Sequence, residues 1–214
     1  MPASTPTPTD YGNFTCDHAI GMETQAKFAD TIYSRDAAGL FVNLFIPSEV
    51  TWADKGIIFR QVTGFPDQPG TRLDVVSGEA GMTVRVRIPA WIAGIALATV
   101  NGRRAGSPAP PGSWLAVRRR WRAGDRLEIT LPMRLELNPA PDDPAVQAVS
   151  YGPAVLNGTY GKRKITAMPK LDTASLKLIA AQPLTVQATA DGRPVMLIPT
   201  ARTHHQHYNV YWRT

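Results

Sequence analysis

From Leu40 onward the chain alternates between apolar and polar positions. Met82, Val84, Val86 and Ile88 point one way and Thr83, Arg85 and Arg87 the other, which is the two-residue period of a strand with one buried face. The run from Leu40 to Ile46, closed by Pro47, predicts a buried strand. Further strands are predicted over 49–52, 57–63, 72–76, 96–100, 114–121, 126–131, 134–137, 146–151, 154–156, 184–190, 195–198 and 208–212. Turn residues punctuate them: Asp54-Lys55-Gly56, Asn101-Gly102, Ala123-Gly124-Asp125 and Asp191-Gly192. Asn-Gly and Asp-Gly pairs suit the two-residue hairpin turn, because both tolerate positive φ. Short strands at this spacing predict a β-sandwich. The stretch 160–175 is less regular and reads as a linker or crossover.

One segment has a different period. Over 21–33, Met22, Ala26, Ala29 and Tyr33 fall on one helical face, and Phe28 and Ile32 widen it. Glu23 and Lys27 stand four apart in the favourable order. An alternative start lies at Asp17, as the cap of the first turn. The helix is expected to end at Ser34-Arg35-Asp36. Its apolar stripe needs neighbours that a strand-rich domain supplies on one face at most.

Composition changes this picture little. A chain of 214 residues fits one large domain or two small ones. Its 19 prolines and 17 glycines suit short strands and turns better than helices. The formal charge is +6, yet the basic residues are scattered. The exception is Arg118-Arg119-Arg120 with Arg122, which alternates with Val117 and Trp121 and reads as an exposed strand face. No nucleic-acid partner is expected. One cysteine excludes an internal disulfide. No stretch is long and apolar enough to span a membrane, so no membrane partner is expected. Residues 1–12 are rich in Pro, Thr and Ser and are expected to be disordered. They have no basic region and no apolar core, so no signal peptide is read, and the compartment stays open.

The candidate chemistry is concentrated at Cys16-Asp17-His18, just before the helix. A lone cysteine reads as a small buried hydrophobe or, at a helix N-terminus, as an activated thiolate. Thiolate, carboxylate and imidazole are also zinc ligand types, although consecutive residues seldom all bind one metal. His204-His205-Gln206-His207 offers a second metal candidate, with His205 and His207 on one face if the final strand starts there. A glycosidase needs two facing acids. Asp142-Asp143, Glu49 and Glu79 lie near turns, and nothing in the sequence pairs them across a pocket. Five tryptophans, Trp52, Trp91, Trp114, Trp121 and Trp212, read as core or as sugar platforms.

Phe14-Thr15-Cys16-Asp17-His18-Ala19-Ile20-Gly21-Met22-Glu23 resembles the Cys-Cys-x-Gly-Thr-Gly-x-Glu segment of glycoside hydrolase family 127, the β-L-arabinofuranosidase family. The resemblance continues through Gly39 to Trp52, Val86 to Trp91, Val100-Asn-Gly102, Pro111 to Leu115, Trp121 to Asp125, Leu131-Pro-Met133, Tyr151-Gly-Pro153 and His205 to Trp212. It implies a mainly β fold: an antiparallel, jelly-roll-like β-sandwich preceded by one helix left over from an (α/α)6 catalytic barrel. The implied domains are a disordered 1–12, a barrel remnant over 13–37, a sandwich over 38–160, and C-terminal strands over 161–214 in the same sandwich or a small second one.

By the same resemblance Cys16 matches the family's nucleophile and zinc ligand. Asp17 stands where the second, zinc-binding cysteine would be, and a carboxylate can also bind zinc. Ala19-Ile20 replace Gly-Thr. The acid/base glutamate and the other zinc ligands lie upstream in the family. The expected function is therefore the C-terminal portion of a family 127-like glycoside hydrolase acting on terminal arabinofuranosides. The chain is expected to be inactive by itself, with zinc as the possible cofactor, an arabinofuranoside-containing glycan as substrate and a catalytic barrel as partner. The other reading is a non-catalytic β-sandwich module for carbohydrate binding or domain packing.

Overall fold

The computed structural model describes residues 16–214, with side chains from Ile20 onward except Gln25. The expected disorder of 1–12 lies outside the described residues. One helix, α1 (Cys16–Ile32), precedes eighteen strands, and the described chain divides into two compact units at Met133/Arg134.

The first unit begins with α1, which runs without a linker into β1 (Tyr33–Asp36). The helix starts earlier than the expected 21 and stops at Ile32, because Tyr33–Asp36 pairs with β2 (Gly39–Val42) instead of continuing the helix. Asn43 secures this junction. Its backbone N–H donates to the Ile32 carbonyl at 2.9 Å, and its Nδ2 donates to the Thr31 carbonyl at 3.1 Å and to Ser34 Oγ at 3.2 Å. The last turn of the helix, whose carbonyls have no intrahelical partners, is thereby tied to the sheet.

Two sheets form the sandwich of this unit. In the first, β1 and β2 continue into β6 (Glu79–Arg87) and β9 (Trp114–Arg122). The second runs β3 (Ser48–Trp52), β4 (Ile57–Val62), β5 (Gly70–Ser77), β10 (Arg126–Thr130), β7 (Ala96–Val100) and β8 (Arg103–Ala109). All pairings are antiparallel except β2 with β6, which is parallel. The alternation in β6 buries Met82, Val84 and Val86. They share one core with Leu115, Val117 and Trp121 of β9 and with Ile57, Phe59, Leu73, Val75, Leu127 and Ile129 of the other sheet. Asn101 and Gly102 take φ 52° and 76°, the doubly positive pattern of a tight hairpin, and join β7 to β8.

The second unit, Arg134–Thr214, is a single antiparallel sheet with a core of its own. Its order is β11 (Leu135–Pro139), β12 (Val146–Tyr151), β13 (Ala154–Thr159), β16 (Arg193–Pro199), β15 (Val186–Ala190) and β14 (Leu171–Leu178). The strands over 146–159, grouped with the first sandwich in the sequence reading, pair here with the C-terminal strands. The expected linker over 160–175 contains the start of β14. Two short strands, β17 (Tyr208–Asn209) and β18 (Tyr211–Arg213), complete the sheet. Strand β13 pairs with β12 over Ala154–Leu156 and with β17 over Gly158–Thr159, so its edge passes from one neighbour to the next. Trp212, fully buried, packs where this happens. Gly158 is required there, because a Cβ would collide with the Trp212 ring and with Asn209 Oδ1.

Candidate functional site

Cys16 and Asp17 are the first two residues of α1. Backbone N–H groups in a first helical turn have no intrahelical acceptor, and the helix dipole favours negative charge there. A thiol at such a position ionises more readily. The side chains of Cys16, Asp17 and His18 lie outside the described residues. Further along α1, Ile20 is 63% exposed and Met22 62%, while Ile32 is buried. Tyr33, just past the helix, is half-buried with its hydroxyl 3.0 Å from Ser48 Oγ. The apolar stripe read from the sequence is therefore covered only at its C-terminal end.

The other sequence candidates resolve differently. Residues 204–206 form a turn rather than a strand entry, with His205 at φ 54°. The His204 and His205 rings lie 5.4 Å apart, both residues exposed, and His207 is half-buried. Among the described residues, no group of three or more His, Cys, Asp or Glu could hold a metal ion. The donor set required for zinc is not completed by the described part of this chain.

The acidic candidates are structural. Asp143 accepts a hydrogen bond from the Ala145 N–H at 3.1 Å and one from Arg213 Nη1 at 2.8 Å. Glu49 pairs with Arg60 at 2.9 Å. Glu79 pairs with Arg120 and, at 3.5 Å, with Arg122. The hydrogen bond from Arg120 holds its carboxyl below the usual glutamate range. Arg119 pairs with Asp125 at 3.1 Å and lies over the Trp121 ring. The arginine cluster is thus largely an ion-paired strand face. Of the tryptophans, Trp52, Trp121 and Trp212 are buried and Trp91 stacks on Phe65. Trp114, 43% exposed and edge-on to Phe41 at 5.2 Å, is the one that presents a ring to solvent.

A further constellation lies in the second unit. Tyr160, Arg163, Lys164, Thr166, Asp191 and Arg193 line a cavity of about 440 Å³, with Pro169 and Pro194 among its apolar walls. Its frame is held by backbone. The Arg163 N–H donates to the Tyr160 carbonyl at 3.0 Å, and Asp191 and Lys170 exchange bonds of 2.9 Å and 3.0 Å. The Arg163 guanidinium lies 5.1 Å over the Tyr160 ring. The Tyr160 hydroxyl is buried without a hydrogen-bond partner, and burial raises its pKa well above the ordinary tyrosine value.

Residues 39–133 match the family described as β-L-arabinofuranosidase, GH127 middle domain. The whole described fold is similar to solved GH127 structures. A GH127 β-arabinofuranosidase superposes with a TM-score of 0.72 at 20% identity, over 99% of this chain and 41% of that one. A protein titled simply as a glycoside hydrolase gives 0.73 at 20% identity, over 99% and 43%. A GH127 β-L-arabinofuranosidase from Geobacillus stearothermophilus T6 gives 0.70 at 20% identity, over 98% and 39%. The chain spans about two fifths of the length of these relatives. No curated protein matches its sequence.

The GH127 segment fixes where the candidates stand. Cys16 and Asp17 precede it, and the cationic cavity follows it. The sequence reading missed the cavity, although Tyr160-Gly161-Lys162-Arg163-Lys164 carried its signal: a basic run beside an aromatic, in a stretch without strand period. Asp191-Gly192 was read only as a turn, and it is one, with φ 49° and 71°.

Proposed function

We propose that this chain is the C-terminal portion of a GH127-like glycoside hydrolase whose parent activity removes terminal arabinofuranosyl units. The match of residues 39–133 to the GH127 middle domain carries this reading. The backbone position of Cys16, at the first residue of a helix, is compatible with the nucleophile role. In that role the Cys16 thiolate attacks the anomeric carbon as the glycosidic C–O bond breaks. A glutamate supplied by the barrel protonates the leaving oxygen. Water then cleaves the thioglycosyl bond, its proton passing to the same glutamate, and the anomeric configuration is retained. The reading assigns Cys16 and Asp17 as this chain's contribution to zinc binding and leaves the remaining ligands to the barrel.

The exposed Ile20 and Met22 on α1 support packing against such a barrel. The isolated chain is expected to be inactive, since the acid/base partner is not among its assigned residues. Purified alone, it should show no turnover of a nitrophenyl arabinofuranoside. Assembled with a catalytic barrel it should hydrolyse that substrate, and Cys16→Ser should abolish the activity. Turnover by the chain alone, or full activity of Cys16→Ser in the assembled enzyme, would overturn the reading.

A further inference from the structure

The cavity of the second unit brings together groups that the hydrolase reading does not use. Three cationic side chains, Arg163, Lys164 and Arg193, line it against one carboxylate, Asp191. That carboxylate is already engaged, since its Oδ1 accepts the Lys170 N–H at 3.0 Å. The local balance is positive, which favours an anion. Two of the cations are arginines, whose planar forks match a carboxylate through paired hydrogen bonds.

The Tyr160 hydroxyl adds a different kind of demand. It is buried and has no hydrogen-bond partner, an arrangement that costs stability until something accepts its proton. Raised by burial, its pKa keeps the phenol protonated at ordinary pH, so Tyr160 is a donor, as the arginines and the lysine are. A cavity of about 440 Å³ has room for a single sugar ring. Pro169, Pro194 and Ala167 offer apolar faces beside the donors.

We propose that this cavity binds a carboxylate-bearing sugar, a uronic acid unit, with its carboxylate on Arg163 and Arg193, its hydroxyls toward Thr166 and the Tyr160 ring as part of the wall. The anion preference stands on the geometry of the second unit alone. Only the choice of a sugar as the bearer of the carboxylate rests on the hydrolase reading.

The test uses the whole chain and titrates glucuronate, arabinose and inorganic phosphate separately, followed by amide chemical shifts. Glucuronate is expected to shift the 160–169 and 190–195 amides saturably, and arabinose is not. Arg163→Ala and Arg193→Ala should each weaken glucuronate about tenfold or more. Tyr160→Phe, which alters no charge, serves as a second variant and should weaken it less while leaving the fold intact. Phosphate binding at least as tightly as glucuronate would overturn the sugar assignment. No saturable shift with glucuronate, or undiminished binding in both arginine variants, would overturn the site itself. Arabinofuranoside hydrolysis by the assembled enzyme is a separate measurement, so failure here and failure of the Cys16 reading are told apart.

Discussion

The two units differ in how many buried polar atoms they leave unpaired: among the described residues the first leaves Arg85 Nη1 and the second leaves five. In the first, Gln61 is buried in the sandwich, and its Nε2 donates to the Leu44 and Ile46 carbonyls at 3.0 Å and 2.9 Å while its Oε1 accepts from Thr71. Asp125 is equally well served. It accepts from Asn101 Nδ2 at 2.8 Å and from the Arg122 N–H at 3.0 Å, and it pairs with Arg119. In the second unit, Asn157 Nδ2, Tyr160 Oη, His207 Nδ1, Asn209 Oδ1 and Trp212 Nε1 are all buried without partners. A satisfied network rigidifies a core, whereas an unpaired buried polar atom costs stability. The first unit is built as a self-sufficient support. The second gives up more of its stability to unpaired buried groups.

The largest test of this contrast is Asp125→Ala. Removing it unpairs Arg119 and leaves the Arg122 N–H and Asn101 Nδ2 without their acceptor. Losing these three part-buried bonds to a charged carboxylate together costs about 3 kcal/mol or more, read as a lowered urea midpoint. A loss below about 1 kcal/mol would show that the first unit does not depend on its network. A middle-sized effect is expected from Gly158→Ala. The new methyl has no room beside Trp212, and overpacking costs about 1–3 kcal/mol. Here the tryptophan emission should report the second unit loosening.

The smallest effect, and the sharpest, belongs to Tyr160→Phe. It deletes a hydroxyl with no partner, so stability at neutral pH should change by no more than about 0.5 kcal/mol or should rise. At alkaline pH the two proteins should diverge. The folded-state pKa of Tyr160 is raised, so its neutral form is favoured by folding. That contribution is complete below the unfolded value near about 10 and is lost as pH climbs past it. The native protein should therefore lose stability above that pH relative to the variant, measured by urea melts across the range. A large neutral-pH loss in Tyr160→Phe would mean that the hydroxyl has a partner after all.

How much of this could be read from the chain varies with how deeply each residue is buried. Strand β6 was legible because Met82, Val84 and Val86 are buried on one side and Thr83, Arg85 and Arg87 are not. The Asn101-Gly102 and Asp191-Gly192 turns were legible because positive φ selects those residue types. Strand β8 was not, since it is an edge strand with Gly106 and Pro108, exposed along most of its length. Strand β14 is also an edge and bears a register shift between Asp172 and Lys177, which blurs its period. Strand β1 looked like more helix because Tyr33 continues the helical stripe, and only its pairing with Val42 makes it a strand. Of the candidate site, the sequence placed Cys16 and Asp17 near a helix start, and their backbone opens α1. The cavity was hidden because Tyr160 and Arg193 are 33 residues apart and meet through the β13–β16 pairing, which no local pattern announces.

The Asn43 tie at the end of α1 has a mechanical consequence. A helix of 17 residues is about 25 Å long at 1.5 Å per residue. Two hydrogen bonds from Asn43 reach its last turn, and a third reaches Ser34 in β1. The helix is therefore held to the sheet at Ile32, with Cys16 at its other end. A rotation of about 5° at this junction displaces the far end of the helix by about 2 Å. Asn43, with no chemistry of its own, thus sets the direction in which α1 leaves the sandwich.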